Sequence, residues 1–227
     1  TPSIIYEQEK IELYTSKTAV AQNMLDQKMF SKDWVYENVF GLSPDQYQDQ
    51  KEAIAYHTFT QSLIECSSIP LSIVPLAENN LNFYNEKHTD GTNKFTYSRF
   101  LIPYLMEFDG WAIFFDGDMI CLSDLEKLKD FFNPNYAVSV VKHEYKTKQK
   151  TKYFGQKNED YPRKNWSSVI IWNCSHPKNK ILTPSLINSK DGAFLHRFKW
   201  LNDDDIGSLP KSWNWLAIEY PEKENLN

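Results

Sequence analysis

Apolar positions fall into short runs separated by long polar stretches. Residues 1–32 are polar, with isolated Ile11, Leu13, Val20 and Met24, and predict a peripheral N-terminal helical extension. Residues 34–40 are dense in aromatic and β-branched side chains (Trp34, Val35, Tyr36, Val39, Phe40). They predict a strand, ended by Gly41, Leu42, Ser43 and Pro44. A polar loop is expected over 45–51, then a helix over 52–66 with Ile54, Phe59, Leu63 and Ile64 at its apolar positions. Residues 71–76 predict a second strand and 78–94 a long polar loop. Within 95–108, Phe100, Leu101, Tyr104, Leu105 and Phe108 recur at helical spacing, with Pro103 demanding a kink or a late start. Runs at 111–115, 136–141 and 168–173 predict three more strands, and Ser123 is placed to cap a short helix over 124–132. Short helices and turns fill the last third, and no internal repeat is present.

Strands alternating with helices imply crossover connections. The expected class is therefore α/β, a mainly parallel sheet flanked by helices, forming one domain over 33–227. Ligands of such sheets bind beyond the carboxyl ends of the strands. At one such end stands Asp116-Gly117-Asp118, directly after Trp111-Ala112-Ile113-Phe114-Phe115. Strand alternation would point both carboxylates the same way, and Gly117 between them admits a ligand close to the backbone. Paired hard oxygen ligands suit Mg²⁺ or Mn²⁺, which complete their shells with water and substrate phosphate. The bare pattern is weak, since Asp203-Asp204-Asp205 matches it too, but the segment before that triplet is less strand-like.

Composition narrows the classes. The 227 residues are 41% hydrophobic and 15% aromatic, enough for a packed core. A net charge of −5 without a basic block argues against a nucleic-acid binder. The Lys-rich stretch 142–152 reads as a solvated loop or as an electropositive rim for an anionic ligand. Cys66, Cys121 and Cys174 have no metal-type spacing and read as reduced, mostly buried thiols, so a cytoplasmic location is expected. No apolar run approaches a membrane span, and there is no apolar leader at Thr1. The acceptor patterns at Asn165 and Asn173 read as chance matches. G-x-G-x-x-G, P-loop and G-x-S-x-G motifs are absent from the sequence.

Phe95-Thr96-Tyr97-Ser98-Arg99-Phe100-Leu101-Ile102-Pro103 resembles the Y-x-R-hydrophobic-x-x-P helix of family 8 glycosyltransferases, the group containing glycogenin and bacterial lipopolysaccharide galactosyl- and glucosyltransferases. In that family the helix precedes an apolar strand ending in D-x-D, as at Asp116–Asp118. Asn165-Trp166-Ser167-Ser168-Val169 resembles its N-[SA]-G-V strand. Asp203-Asp204-Asp205-Ile206, Leu209-Pro210 and Trp213-Asn214 resemble its D-Q-D…L-P…W-N stretch. Tyr161 to Ser168 is similar to uncharacterised bacterial and phage members. The likeness runs from about Val39 to Trp215 and implies a GT-A fold. It also implies a metal-dependent hexosyltransferase using a UDP-sugar and Mn²⁺ (or Mg²⁺), usually with retention, toward a glycan, lipid or protein acceptor.

The resemblance assigns roles. Asp116 and Asp118 hold the metal, with Gly117 in the same donor site. Arg99 holds the diphosphate, the donor sugar or Asp116 itself, and a structural ion pair is the competing reading. Asp203 and Asp205 match the family's acids and Asp204 its amide. They contact sugar hydroxyls, or they are an acidic turn capping a helix. Asn165 and Ser167 contact donor or acceptor sugar, with a turn-forming Asn as the plainer reading. Gly41 and Ser43 end the first strand, where nucleobase contacts are expected. Trp166, Trp213 and Trp215 are a stacking platform or core. Of the dispersed histidines 57, 88, 143, 176 and 196, only His143 closely follows a predicted strand. There are departures: Gly117 for Ala or Thr, Ser168 for Gly, Asp204 for Gln. The family's late H-x-x-G-x-x-K-P-W segment, whose His is a third metal ligand, is not found up to Asn227. A catalytic domain without its C-terminal segment is expected, or an ion held by two carboxylates, diphosphate and water. A sugar-nucleotide nucleotidyltransferase should show a Gly-rich phosphate loop, and 39–49 has only Gly41. A non-catalytic nucleotide- or sugar-binding module is the other alternative.

Overall fold

The computed structural model describes residues 2–27, 31–41, 43–76, 81–88, 96–144, 162–217 and 219–220. Leu42, Tyr161, most of the Lys-rich stretch and parts of the 78–94 loop therefore lie outside the described residues. The chain forms two compact units, Thr1–Ser62 and Leu63–Asn227.

The first unit contains α1 (Pro2–Asp26), α2 (Lys32–Phe40) and most of α3 (Pro44–Cys66). α1 packs on α2, and Ala21 and Val35 are buried. The strand expected at 34–40 is the helix α2. Its aromatic and β-branched content favours a strand, but its ends are helix signals. Ser31 Oγ accepts the Trp34 N–H at 3.2 Å. Gly41 takes a left-handed φ of 69°, and its N–H returns to the Tyr36 carbonyl. The polar loop expected at 45–51 is the start of α3. Ser43 Oγ accepts the Gln46 N–H (3.2 Å), Gln46 Oε1 accepts the Ser43 N–H (3.0 Å), and Pro44 opens the first turn.

In the second unit, residues 71–76 belong to no helix or strand, so the second expected strand is lost as well. The segment 95–108 starts its helix late. A 3-10 turn over Ser98–Leu101 precedes the single turn α4 (Ile102–Leu105), with Pro103 near its N-terminus, where no N–H is needed. Glu107, Phe108 and Gly110, all at positive φ, then turn the chain into β1. Asp124, not Ser123, caps the 3-10 helix Leu125–Phe131 by accepting the Glu126 N–H at 3.0 Å.

Among the described residues, β1 (Trp111–Phe115), β2 (Val138–Val140), β3 (Val169–Asn173) and β4 (Ile206–Ser208) form one sheet in the order β1-β3-β2-β4. β3 runs antiparallel to both β1 and β2, and only β2 and β4 are parallel. The sheet is thus mixed rather than mainly parallel. The two segments expected to add parallel strands are a helix and an irregular stretch outside the sheet, and β3 enters from the end where β1 leaves. All five β3 residues are buried, which explains the unbroken Val-Ile-Ile-Trp run. Phe100, Leu101, Leu195 and Phe198 join its Ile170 and Trp172 in the core. Cys174 is buried, whereas Cys66 and Cys121 are partly exposed, and none of the three forms a disulfide. No helix among the described residues is long and apolar enough to cross a membrane.

Candidate functional site

The register sets where functional groups can meet. β1, β2 and β4 all end on the edge of the sheet where β3 begins. Asp116 extends the β1–β3 ladder by one rung, its N–H donating to the Ser168 carbonyl at 2.9 Å. Gly117 and Asp118 then form an exposed turn. The pair is therefore carried by a turn beyond the strand, and strand alternation does not govern its direction.

Arg99 comes to the same edge from the 3-10 turn Ser98–Leu101 and is buried. Its Nη1 lies 2.9 Å from Asp116 Oδ1 and donates to the Ser167 carbonyl at 2.8 Å. Its Nε donates to the Thr96 carbonyl at 2.9 Å, and its guanidinium carbon lies 4.6 Å from the Phe114 ring centroid. Of the three partners open to Arg99 in the sequence, the structure supplies Asp116. Burial pushes the Asp116 carboxyl above its ordinary range. Arg99 and a hydrogen bond from the Ser168 side chain pull it down, and the neighbouring Asp118 charge raises it further. The two carboxylates are thus close enough to repel.

Ser167 is buried, and its Oγ meets His196 Nδ1 at 2.8 Å. His196 ends α6 (Gly192–His196), a helix that follows α5 (Pro184–Ser189) and is capped by Asp191, and its ring packs edge-on to Phe100 at 5.1 Å. Tyr97 is stacked on His88 at 3.8 Å and lies beside His196 at 5.6 Å. A Cβ on Gly192 would stand 2.8 Å from the Tyr97 hydroxyl, so glycine there lets α6 approach. His196 was not singled out in the sequence. Its partner lies 29 residues away, and no spacing rule links them.

His143 follows β2 on this edge and is buried. Asn214 Nδ2 lies 2.9 Å from its Nε2, and the Tyr220 hydroxyl is 2.6 Å from its Nδ1. Burial first, and Lys211 second, hold its pKa down to about 4, so the ring is neutral at physiological pH. Asn165 takes a left-handed φ of 60°, and its carbonyl accepts from Asn214 at 3.3 Å. The indole of Trp166 has Lys142 at 5.8 Å and the Arg163 guanidinium at 5.6 Å from its ring. Trp215 packs on Tyr220 at 4.9 Å, and Trp213 is half-buried.

The Asp203–Asp205 triplet is not brought to this edge. The Ala137 N–H donates to the Asp205 carbonyl at 2.8 Å and the Asn173 N–H to the Ala137 carbonyl at 3.1 Å. The triplet is therefore level with the last residue of β3, whereas Asp116 is level with the residue before its first. Five strand steps, roughly 17 Å, lie between. Asp205 closes a capping box with Asn202 and pairs with Lys178 Nζ at 2.6 Å, which holds its pKa down. Asp203, 83% exposed, pairs with Arg163 at 2.5 Å, and Asp204 is exposed. Gly41 and Ser43 lie in the first unit as the C-cap of α2 and the N-terminal cap of α3, instead of ending a strand.

Among the described residues no group of three or more His, Cys, Asp and Glu is arranged to hold a metal ion. The donor set nearest to one is Asp116 with Asp118, two hard carboxylates whose mutual repulsion a divalent cation would relieve.

Comparison with known proteins gives the wider context. The model for "Glycosyl transferase family 8" matches residues 22–188. Protein CDI of Arabidopsis thaliana is 43% identical over 172 residues, covering 74% of this chain and 66% of the plant protein. The chain thus spans just under two thirds of that relative's length. No solved structure matches. With a family match across most of its length and a mixed α/β sheet carrying D-x-D on its edge, the chain belongs to glycosyl transferase family 8 and has the GT-A fold.

Proposed function

We propose that this chain is a hexosyltransferase moving a sugar from a UDP-sugar to a glycan, lipid or protein acceptor, with Mn²⁺ or Mg²⁺ and with retention of anomeric configuration. The carrying observation is the exposed Asp118 carboxylate beside Asp116, whose charge is backed by buried Arg99. Family membership supports a glycosyl-transfer reaction, while UDP, the metal and retention rest on family resemblance.

The residues present fit a divalent ion. Asp116 and Asp118 supply hard oxygens, and a cation there would offset both the burial of the Asp116 carboxylate and the charge of Asp118 beside it. Bound there with the donor, the ion would stabilise the negative charge that grows on the diphosphate as the sugar–phosphate bond breaks. Arg99 fixes the rotamer of Asp116 and ties it to Ser167, so the turn is pre-set before ligand arrives. Asn165, Ser167 and Trp166 line the loop entering β3 and are the proposed sugar contacts. Asp203, Asp204 and Asp205 act in this reading as a cap and ion-pair cluster at the far edge.

The test is a UDP titration by calorimetry with and without Mn²⁺. Affinity is expected to depend on the metal in the wild type and to lose that dependence in Asp118→Asn. Metal-independent affinity, or an unchanged Asp118→Asn, overturns the reading.

A further inference from the structure

Two of the three cysteines meet outside the site just described. Cys66 is the last residue of α3, and Cys121 follows the Asp116–Asp118 turn by three residues. Cys66 Sγ donates to the Cys121 carbonyl at 3.3 Å, and Cys121 Sγ to the Ser123 carbonyl at 3.1 Å. Both thiols are partly exposed. The segments around them are already joined. Asp124 Oδ1 accepts the Ser68 N–H at 3.1 Å, and Glu126 Oε2 accepts from Ser68 Oγ at 3.2 Å. We propose that Cys66 and Cys121 are a redox-sensitive pair that closes to a disulfide, clasping the end of α3 to the segment that follows the Asp116–Asp118 turn.

The geometry favours closure because the two segments are already in contact. Hydrogen bonds from Ser68 already hold the two segments together, and Cys66 Sγ touches the residue it must bridge. The oxidant is a small-molecule disulfide such as glutathione disulfide. One protein thiolate attacks it, forming a mixed disulfide and releasing one glutathione thiolate. The second protein thiolate then attacks the protein sulfur of that mixed disulfide and releases the other glutathione. The protein loses two electrons and two protons, and one glutathione disulfide becomes two glutathiones. Burial, together with the neighbouring Cys66, raises the Cys121 thiol, so closure is slow at neutral pH. Cys174 is fully buried and pushed up to about 12, and it serves as an unreactive internal control.

The experiment treats the full chain with glutathione disulfide, blocks remaining thiols, and maps tryptic peptides without reduction. A Cys66–Cys121 linked peptide is expected, reversed by dithiothreitol, with Cys174 blocked only after unfolding. The oxidised chain should melt about 5 °C or more above the reduced one, because a loop of more than fifty residues is closed in the unfolded state. Cys66→Ser and Cys121→Ser should each lose the linked peptide and carry a single glutathione on the remaining thiol. Separate glutathione adducts at Cys66 and Cys121 in the wild type, a link to Cys174, or a disulfide between two chains overturns the proposal.

Discussion

Arg99 and Asp116 form an ion pair at 2.9 Å in which the arginine is the more buried partner, 10% exposed against 28%. The cation is thus fixed first, by the carbonyls of Thr96 and Ser167 and the face of Phe114, and the carboxylate is oriented by it. Arg99→Met should keep the packing on Phe114 and leave Asp116 unpaired. Urea unfolding at pH 7 should show a loss of about 2–4 kcal/mol, discounted from the fully buried case because Asp116 is partly wet. Burial already raises the Asp116 carboxyl, and losing Arg99 removes what pulls it down, so protonation relieves the unpaired charge. The loss should therefore shrink as pH falls toward the carboxylate range.

Asp118 is exposed and should matter for ligand rather than for folding. Asp118→Asn is expected to stay within about 0.5 kcal/mol of wild type without ligand. Mn²⁺ plus UDP should raise the wild-type melting temperature and leave that of the variant unmoved, as read by thermal scanning.

His143 should set the acid limb of stability. Its folded pKa of about 4 lies below the unfolded 6.5, so the unfolded state binds more protons between those values. The stability it contributes is present above pH 6.5 and lost as pH falls toward 4, by roughly 3 kcal/mol in all. Urea midpoints at pH 6.5, 5.5 and 4.5 should fall steeply in wild type, and His143→Gln should remove much of that slope.

The sequence made the three strands around the site readable, because each is an apolar run too short for a helix. What it concealed was set by partners distant in the chain. The aromatic density of 34–40 masked a helix whose evidence lay in Ser31 and Gly41. The direction of β3 depended on which edge it entered, which no local pattern encodes. The sequence left three partners open to Arg99, and only the fold brings it to Asp116. His196 was invisible because its contact with Ser167 exists only once α6 has docked.

The acidic triplet offers a separate test. Asp205→Ala should cost about 1 kcal/mol in urea unfolding, from the lost cap on the Asn202 N–H. Asp204→Ala should be neutral. Neither should change metal-dependent UDP affinity, and a tenfold loss in either would place the triplet in the donor site.

Two glycines should respond oppositely to the same added methyl. A Cβ on Gly207 would meet Ser139 Oγ at 2.4 Å and Tyr136 at 2.6 Å, so Gly207→Ala should destabilise by roughly 1–3 kcal/mol. A Cβ on Gly117 meets nothing within 4 Å. Gly117→Ala should fold like wild type, and any fall in UDP affinity then reports how closely ligand approaches that turn.

The register of β3 also dictates the order in which the protein can be made. β1 and β2 are synthesised long before their partners, since Phe115 waits for Val169 and Val138 for Ile206. Every pairing in the sheet includes β3 or β4. A chain still leaving the ribosome therefore carries two apolar strands with open edges until residues 169–208 emerge. Pairing across such sequence separations is expected to slow folding and to put the nascent chain, more than the finished protein, at risk of aggregation.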